Sequence, residues 1–154
     1  IIRHQSGSRF TLYGKADDVG LAEPQIAGIS FVNLKSNARI RMFRVALPAQ
    51  DNPYTPSEKK DDLSRIAAAG NPVPNVQIFS SALPVKKEDG TLSLYFGPYS
   101  IVRSTKNFLV RAEDGSNIFT IFKTFDGICT LKVKQPFTPL IGFAVAVAIS
   151  TSTK

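Results

Sequence analysis

Residues 137–149 read FTPLIGFAVAVAI, and this stretch decides the fold. Thr138 is a capping residue, and Pro139 suits the first helical position, where no N–H is needed. The run after Pro139 is apolar on every side, and a helix with no wet face belongs inside a protein. Its β-branched residues also permit a strand, and periodicity alone does not separate the two. The cap decides for a helix of about 13 residues, roughly 20 Å long. The run is too short to span a bilayer, which takes about 20 apolar residues.

Upstream of it, most of the chain reads as β. Residues 8–13 (SRFTLY), 26–32, 39–47 (RIRMFRVAL), 76–80, 92–96, 107–111, 118–123 and 128–134 are short runs rich in β-branched and aromatic residues. Asp89-Gly90 and Asp114-Gly115 each stand between apolar runs, and the pair supplies positive φ values for a tight hairpin. In 128–134, Cys129, Leu131 and Val133 share the dry face, while Ile128, Thr130, Lys132 and Lys134 share the mostly wet one. The run at 39–47 changes phase, since Ile40 and Met42 share one face and Phe43, Val45 and Leu47 the other. A bulge near Met42-Phe43 is predicted, with Arg39 and Arg41 pointing outward together.

Residues 49–75 differ in composition. They hold Pro53, Pro56, Pro72 and Pro74, with Glu58, Lys59, Lys60, Asp61 and Asp62 between. This reads as a long surface loop with a helical turn or two around 62–69, stopped by Gly70 and Pro72. A loop of this length is functional or disordered.

The whole chain has 154 residues, a formal charge of +7, 20% charged and 43% hydrophobic residues. That fits one domain, spanning 1–154, with a packed core, and excludes a mainly disordered chain. One cysteine excludes an intramolecular disulfide framework, and one histidine excludes a multi-histidine metal site. The positive charge admits anionic partners: a membrane surface, a nucleic acid or an acidic protein. The chain opens on Ile1-Ile2-Arg3 without a Met or a signal-peptide pattern, so the start reads as truncated or processed. Eight or more strands with one buried helix predict a mainly β fold; ordinary sandwiches fill their middle with strand side chains, and a barrel closed around a central hydrophobic C-terminal helix is a rarer solution that also removes exposed sheet edges.

These blocks resemble the tubby domain, the C-terminal domain of tubby and tubby-like proteins. LYFGPYSIVRSTKNFLV (94–110) is similar to a family strand leading into a Lys-Asn-Phe motif, here Lys106-Asn107-Phe108. Residues 118–149 resemble its closing strands and buried terminal helix. SRFTLYG (8–14) and NLKSNARIRMFRVALP (33–48) resemble earlier strands. The resemblance implies a helix-filled barrel that binds phosphatidylinositol bisphosphate at the inner face of the plasma membrane. It also implies a part in bringing protein cargo to the cilium. Arg3 fits one phosphate-binding Arg of the family if one residue is deleted before Phe10. A family Lys falls at Ile1, an Arg of the following short helix falls near Glu23, and the earlier strands are absent. The domain is thus truncated and divergent.

The candidate lipid-phosphate residues are Arg3, Arg9 and Lys15, grouped around one strand. Arg gives bidentate contacts to phosphate, and the plain alternative is solvated surface charge. Arg39, Arg41 and Arg44 form a second basic group, equally accounted for as edge charge that blocks strand aggregation. His4 lacks a carboxylate or nucleophile nearby in sequence and reads as a surface residue. Cys129 reads as a buried, inert thiol. Lys106 reads as solvated and Asn107 as turn chemistry. The pairs Asp17-Asp18 and Asp61-Asp62 lack a metal loop's spacing and read as loop or helix-start charges.

The leading expectation is a non-enzymatic, cytoplasmic adaptor that binds a phosphatidylinositol bisphosphate head group and attaches peripherally to a membrane. The alternative is a structural or protein-interaction domain that kept the fold and lost the lipid. Specific nucleic-acid binding lacks a motif, and no nucleophile, base and orienting group converge as in an enzyme. No phosphate loop occurs and no cofactor is expected.

Overall fold

The computed structural model describes residues 2–5, 8–15, 23–34, 37–49 and 54–152, the side chains of 37–39 and 126 excepted. Contacts divide the chain into two compact units, Ile1–Ser80 with Thr151–Lys154, and Ser81–Ser150.

The first unit is built on five antiparallel strands in sequential order. They are β1 (Ile2–His4), β2 (Arg9–Tyr13), β3 (Gln25–Leu34), β4 (Asn37–Pro48) and β5 (Val76–Ser80). Register aligns Arg3, Thr11, Gly28, Ala46 and Ile78 in one row across all five strands. Between β4 and β5 lies α1 (Leu63–Ala69), packed over β3, β4 and β2. Asp62 caps it and Gly70 ends it in a left-handed conformation, φ 71°. This is the helix expected around 62–69, stopped where Gly70 stands.

The row explains how close α1 lies. Its middle members are small, and a Cβ on Gly28 would come within 2.0 Å of the Leu63 carbonyl carbon. Leu63, Ile66 and Ala67 pack there on Ala46, with Tyr54, Val73, Val76 and Ile78 around them. Full burial of Leu63 and Ile66 contributes about 1.5–3 kcal/mol each. The opposite face of the sheet is aromatic. Phe10 and Phe31 meet edge to face at 6.2 Å, and Phe31 and Phe43 lie 6.1 Å apart.

One expectation about β4 fails. Pairing runs without a break from Asn33↔Arg41 to Gly28↔Ala46, so there is no bulge at Met42-Phe43; the register shifts beside Asn33/Leu34 instead. Both Met42 and Phe43 are buried, so both faces of β4 are covered, and α1 packs on the face of Ala46. In an unbroken strand Arg41 and Arg44 point to opposite faces.

The second unit contains β6 (Val85–Lys86) paired with β7 (Leu92–Ser93), and a sheet ordered β10-β9-β8. Its strands are β8 (Phe108–Arg111), β9 (Asn117–Lys123) and β10 (Cys129–Val133). The last helix, α2, is Pro139–Thr151, 13 residues. Thr138 Oγ1 accepts from the Ile141 N–H at 3.2 Å, so the expected cap is present. β9 is buried on both faces. Phe122 packs with Phe96 and Leu109 on one; on the other, Phe119 meets Phe137 at 5.6 Å. Gly142 brings α2 onto that second face, where a Cβ would lie 2.4 Å from Val133 Cγ1.

The fold is mainly β with a C-terminal helix, but among the described residues the strands form three sheets and none closes into a barrel. Closure needs continuous backbone pairing along the outer strands, and among the described residues β8 is met on its outer side only by an isolated bridge, Ser81↔Val110, with the Ala82 N–H donating to Leu109 O at 2.8 Å. Nor is α2 wholly enclosed. Ile141, Ala144, Val145, Ala148 and Ile149 are buried, while Leu140 and Phe143 are exposed; these two stand three apart and share one stripe. Cys129 is exposed, not buried. It opens an edge strand beside a turn, beyond the packed part of the face. The predicted hairpin turns are present, with one difference. Only Gly90 (φ 81°) and Gly115 (φ 82°) take positive φ there, and Asp89 and Asp114 do not. Each is a three-residue loop closed by a left-handed glycine rather than a two-residue turn. Lys106 and Asn107 are both engaged. Lys106 Nζ donates to the Ser150 carbonyl at the end of α2 (2.7 Å). Asn107 Nδ2 donates to Val102 O and its Oδ1 accepts from the Lys123 N–H.

Candidate functional site

A groove of about 810 Å³ opens on the α1 side of the first unit. Arg3, Arg9 and Tyr13 line it from β1 and β2, with Gln25 at the start of β3. The opposing wall is the approach to α1, including Lys59, Asp62 and Arg65. Arg3 pairs with Thr11 across the β1–β2 ladder. Arg9 and Thr11 are two apart on β2, so the alternation of side chains brings both arginines to the same face.

A hydrogen-bond network fixes this wall. Asp62 Oδ1 accepts from the Ser64 N–H (2.8 Å) and Oδ2 from Gln25 Nε2 (2.6 Å). Gln25 Oε1 accepts from the Leu63 N–H at 2.9 Å. Two N–H groups of the first helical turn, which lack partners within the helix, are thereby satisfied. Gln25 N–H also donates to Tyr54 O (2.7 Å), and Tyr54 Oη donates to Asp61 O (2.7 Å). Burial first, then Asp61 and Asp62, push the Tyr54 hydroxyl above its ordinary value, which keeps it a donor.

Arg3 is held from two sides. Its guanidinium forms an ion pair with Glu23 and lies 4.7 Å from the centre of the Tyr13 ring, a cation–π contact. The groove therefore mixes signs: Arg3, Arg9, Lys59 and Arg65 against Glu23, Glu58 and Asp62. Asp62 is committed to Ser64 and Gln25, and Glu58 lies 3.1 Å from Lys60.

Of the three candidates, Arg3 and Arg9 meet in the groove. Lys15 is exposed but is not among the groove's lining residues. The second basic group does not form one patch. Arg41 stacks on Phe31 at 4.2 Å, and burial lowers its pKa. Arg44 donates to Ala68 O at 3.0 Å on the α1 face. The Arg39 side chain lies outside the described residues, as do Asp17 and Asp18. His4 is exposed on β1, its ring 4.9 Å from that of Phe10. Asp61 and Asp62 are helix-start charges as expected, and among the described residues no cluster fit for a metal ion occurs. The sequence reading missed Tyr13, Gln25, Lys59 and Arg65 as groove residues. The acidic and basic run 58–62 was the available signal, but only the packing of α1 brings it opposite Arg3.

No protein-family model matches the chain, and no curated protein matches it. Among the described residues no helix is long and apolar enough to cross a membrane.

Proposed function

We propose that the chain is a non-enzymatic binding module of the tubby type, whose groove receives the phosphorylated head group of a phosphatidylinositol bisphosphate at a membrane surface. One observation carries this reading: Arg3 and Arg9 share a face on adjacent strands, opposite Lys59 and Arg65, around an open space of about 810 Å³. Guanidinium groups bind phosphate oxygens in pairs, and several cations around one cavity suit a multiply charged head group. Delivery of membrane-protein cargo, including to the cilium, is the wider role this reading carries.

Flotation with liposomes containing phosphatidylinositol bisphosphate tests it. Arg9→Ala is expected to weaken binding about tenfold, the loss of one charge-assisted contact. Glu23→Gln is expected to strengthen it, because the ion pair that holds Arg3 is gone. Equal binding by the parent, Arg9→Ala and Glu23→Gln would remove the groove from the account.

The Arg3–Glu23 pair also favours a second reading, a protein-interaction domain without lipid affinity. In that case no vesicle binds, and Glu23→Gln lowers capture of the protein partner instead.

A further inference from the structure

The β9–β10 hairpin ends in a turn that holds two large apolar side chains in water. Thr124 N–H donates to Ile128 O at 2.8 Å, and its Oγ1 lies 3.1 Å from the same carbonyl. Gly127 takes φ 78° inside this closed turn. The result leaves Phe125 67% and Ile128 62% exposed. Removing each from water is favourable.

The charge around this tip is positive. Lys123 ends β9, and its carbonyl accepts from the Val102 N–H at 2.9 Å, which brings the exposed Arg103 alongside. Asn107 bonds to both Val102 O and Lys123 N and so fixes the two segments together. Asp126 stands within the turn, and the two cations outnumber it. Glu113 and Asp114 lie in the β8–β9 turn, at the other end of the seven-residue β9, roughly 20 Å away at about 3.4 Å per residue.

We propose that Phe125 and Ile128 insert into the interfacial layer of an anionic bilayer, with Lys123 and Arg103 at the head-group level. Two side chains at a convex tip suit a layer that deforms around them, and the adjacent cations suit its negative surface. The proposal rests on the membrane reading above for its occupant but not on the groove.

The sequence contains no tryptophan, so Phe125→Trp creates a single reporter. The probes are phosphatidylcholine vesicles with phosphatidylserine, with and without phosphatidylinositol bisphosphate, and vesicles with brominated acyl chains. The expected result is a blue shift of emission on anionic vesicles and quenching by brominated chains. Phe125→Ser with Ile128→Ser is expected to lower vesicle affinity tenfold or more, with an unchanged thermal midpoint, since both side chains are exposed. Flotation on phosphoinositide vesicles without any blue shift would overturn insertion and leave the groove reading standing. A blue shift on phosphatidylserine alone, indifferent to phosphoinositide and to Arg9→Ala, would support insertion and remove the groove reading. Absence of both overturns both. A shift that grows with protein concentration without lipid would assign the tip to a second copy of the chain and overturn the proposal.

Discussion

Gly28 lies under a helix that leaves no room for a methyl group. A Cβ there would sit 2.0 Å from Leu63 C and 2.2 Å from Ser64 N, both backbone atoms that cannot rotate aside. Gly28→Ala is therefore expected to destabilise the first unit by about 3 kcal/mol, the upper part of the range for an overpacked site. Urea unfolding measures it as a lower midpoint at unchanged slope, and parental stability would mean that α1 lifts off without cost. Nothing in the local sequence marks Gly28, because its constraint comes from a segment some 35 positions later. Asp62 and Gly70 were legible for the opposite reason: a cap and a stop act within a few residues of themselves. Cys129 misled because alternation assigns a face to a residue without saying where the packed part of that face ends.

At the scale of elements, the two hairpin turns answer to acid. Asp89 accepts from the Thr91 hydroxyl and N–H, and Asp114 from the Ser116 N–H. Hydrogen bonds from Thr91 and Ser116 hold these carboxyls below their ordinary value of 3.8. A carboxyl with a depressed folded value stabilises the fold above its unfolded value. That contribution is lost as pH falls through the folded value. NMR titration of the two carboxyl carbons is expected to give midpoints below 3.8, with the Gly90 and Gly115 amides following them; midpoints at 3.8 or higher would mean that the turns do not hold the charged form. The bounds of α2 were legible from Thr138-Pro139. Its orientation was not, since a run without a polar stripe carries no mark of which side meets water. The phase of β4 was misread because alternation assumes one wet face, and both faces of β4 are covered.

Across the whole molecule, charge and apolar surface make separate contributions. The net charge of +7 acts through solvent, and its reach shrinks from about 8 Å at 0.15 M salt to about 3 Å at 1 M. Vesicle binding is expected to fall at least tenfold over that interval if the arginines of the groove carry it. A salt-independent affinity would leave the apolar tip as the main contact. The order of strands and helices was legible along almost the entire chain, apart from the short β1 and β6. Barrel closure was not, because pairing between outer strands depends on distant segments that no local pattern encodes.

The row of Arg3, Thr11, Gly28, Ala46 and Ile78 also limits how this sequence can drift over generations. A larger residue at Thr11 or Ala46 pushes on the same helix that Gly28 admits. Such a change survives only with a compensating loss on α1 or a new seat for it. Because α1 is also the groove's wall, a new seat moves Lys59 and Arg65 relative to Arg3. Ancestry is thus expected to couple these positions, and a lineage that alters the packing of its helix alters its recognition surface as well.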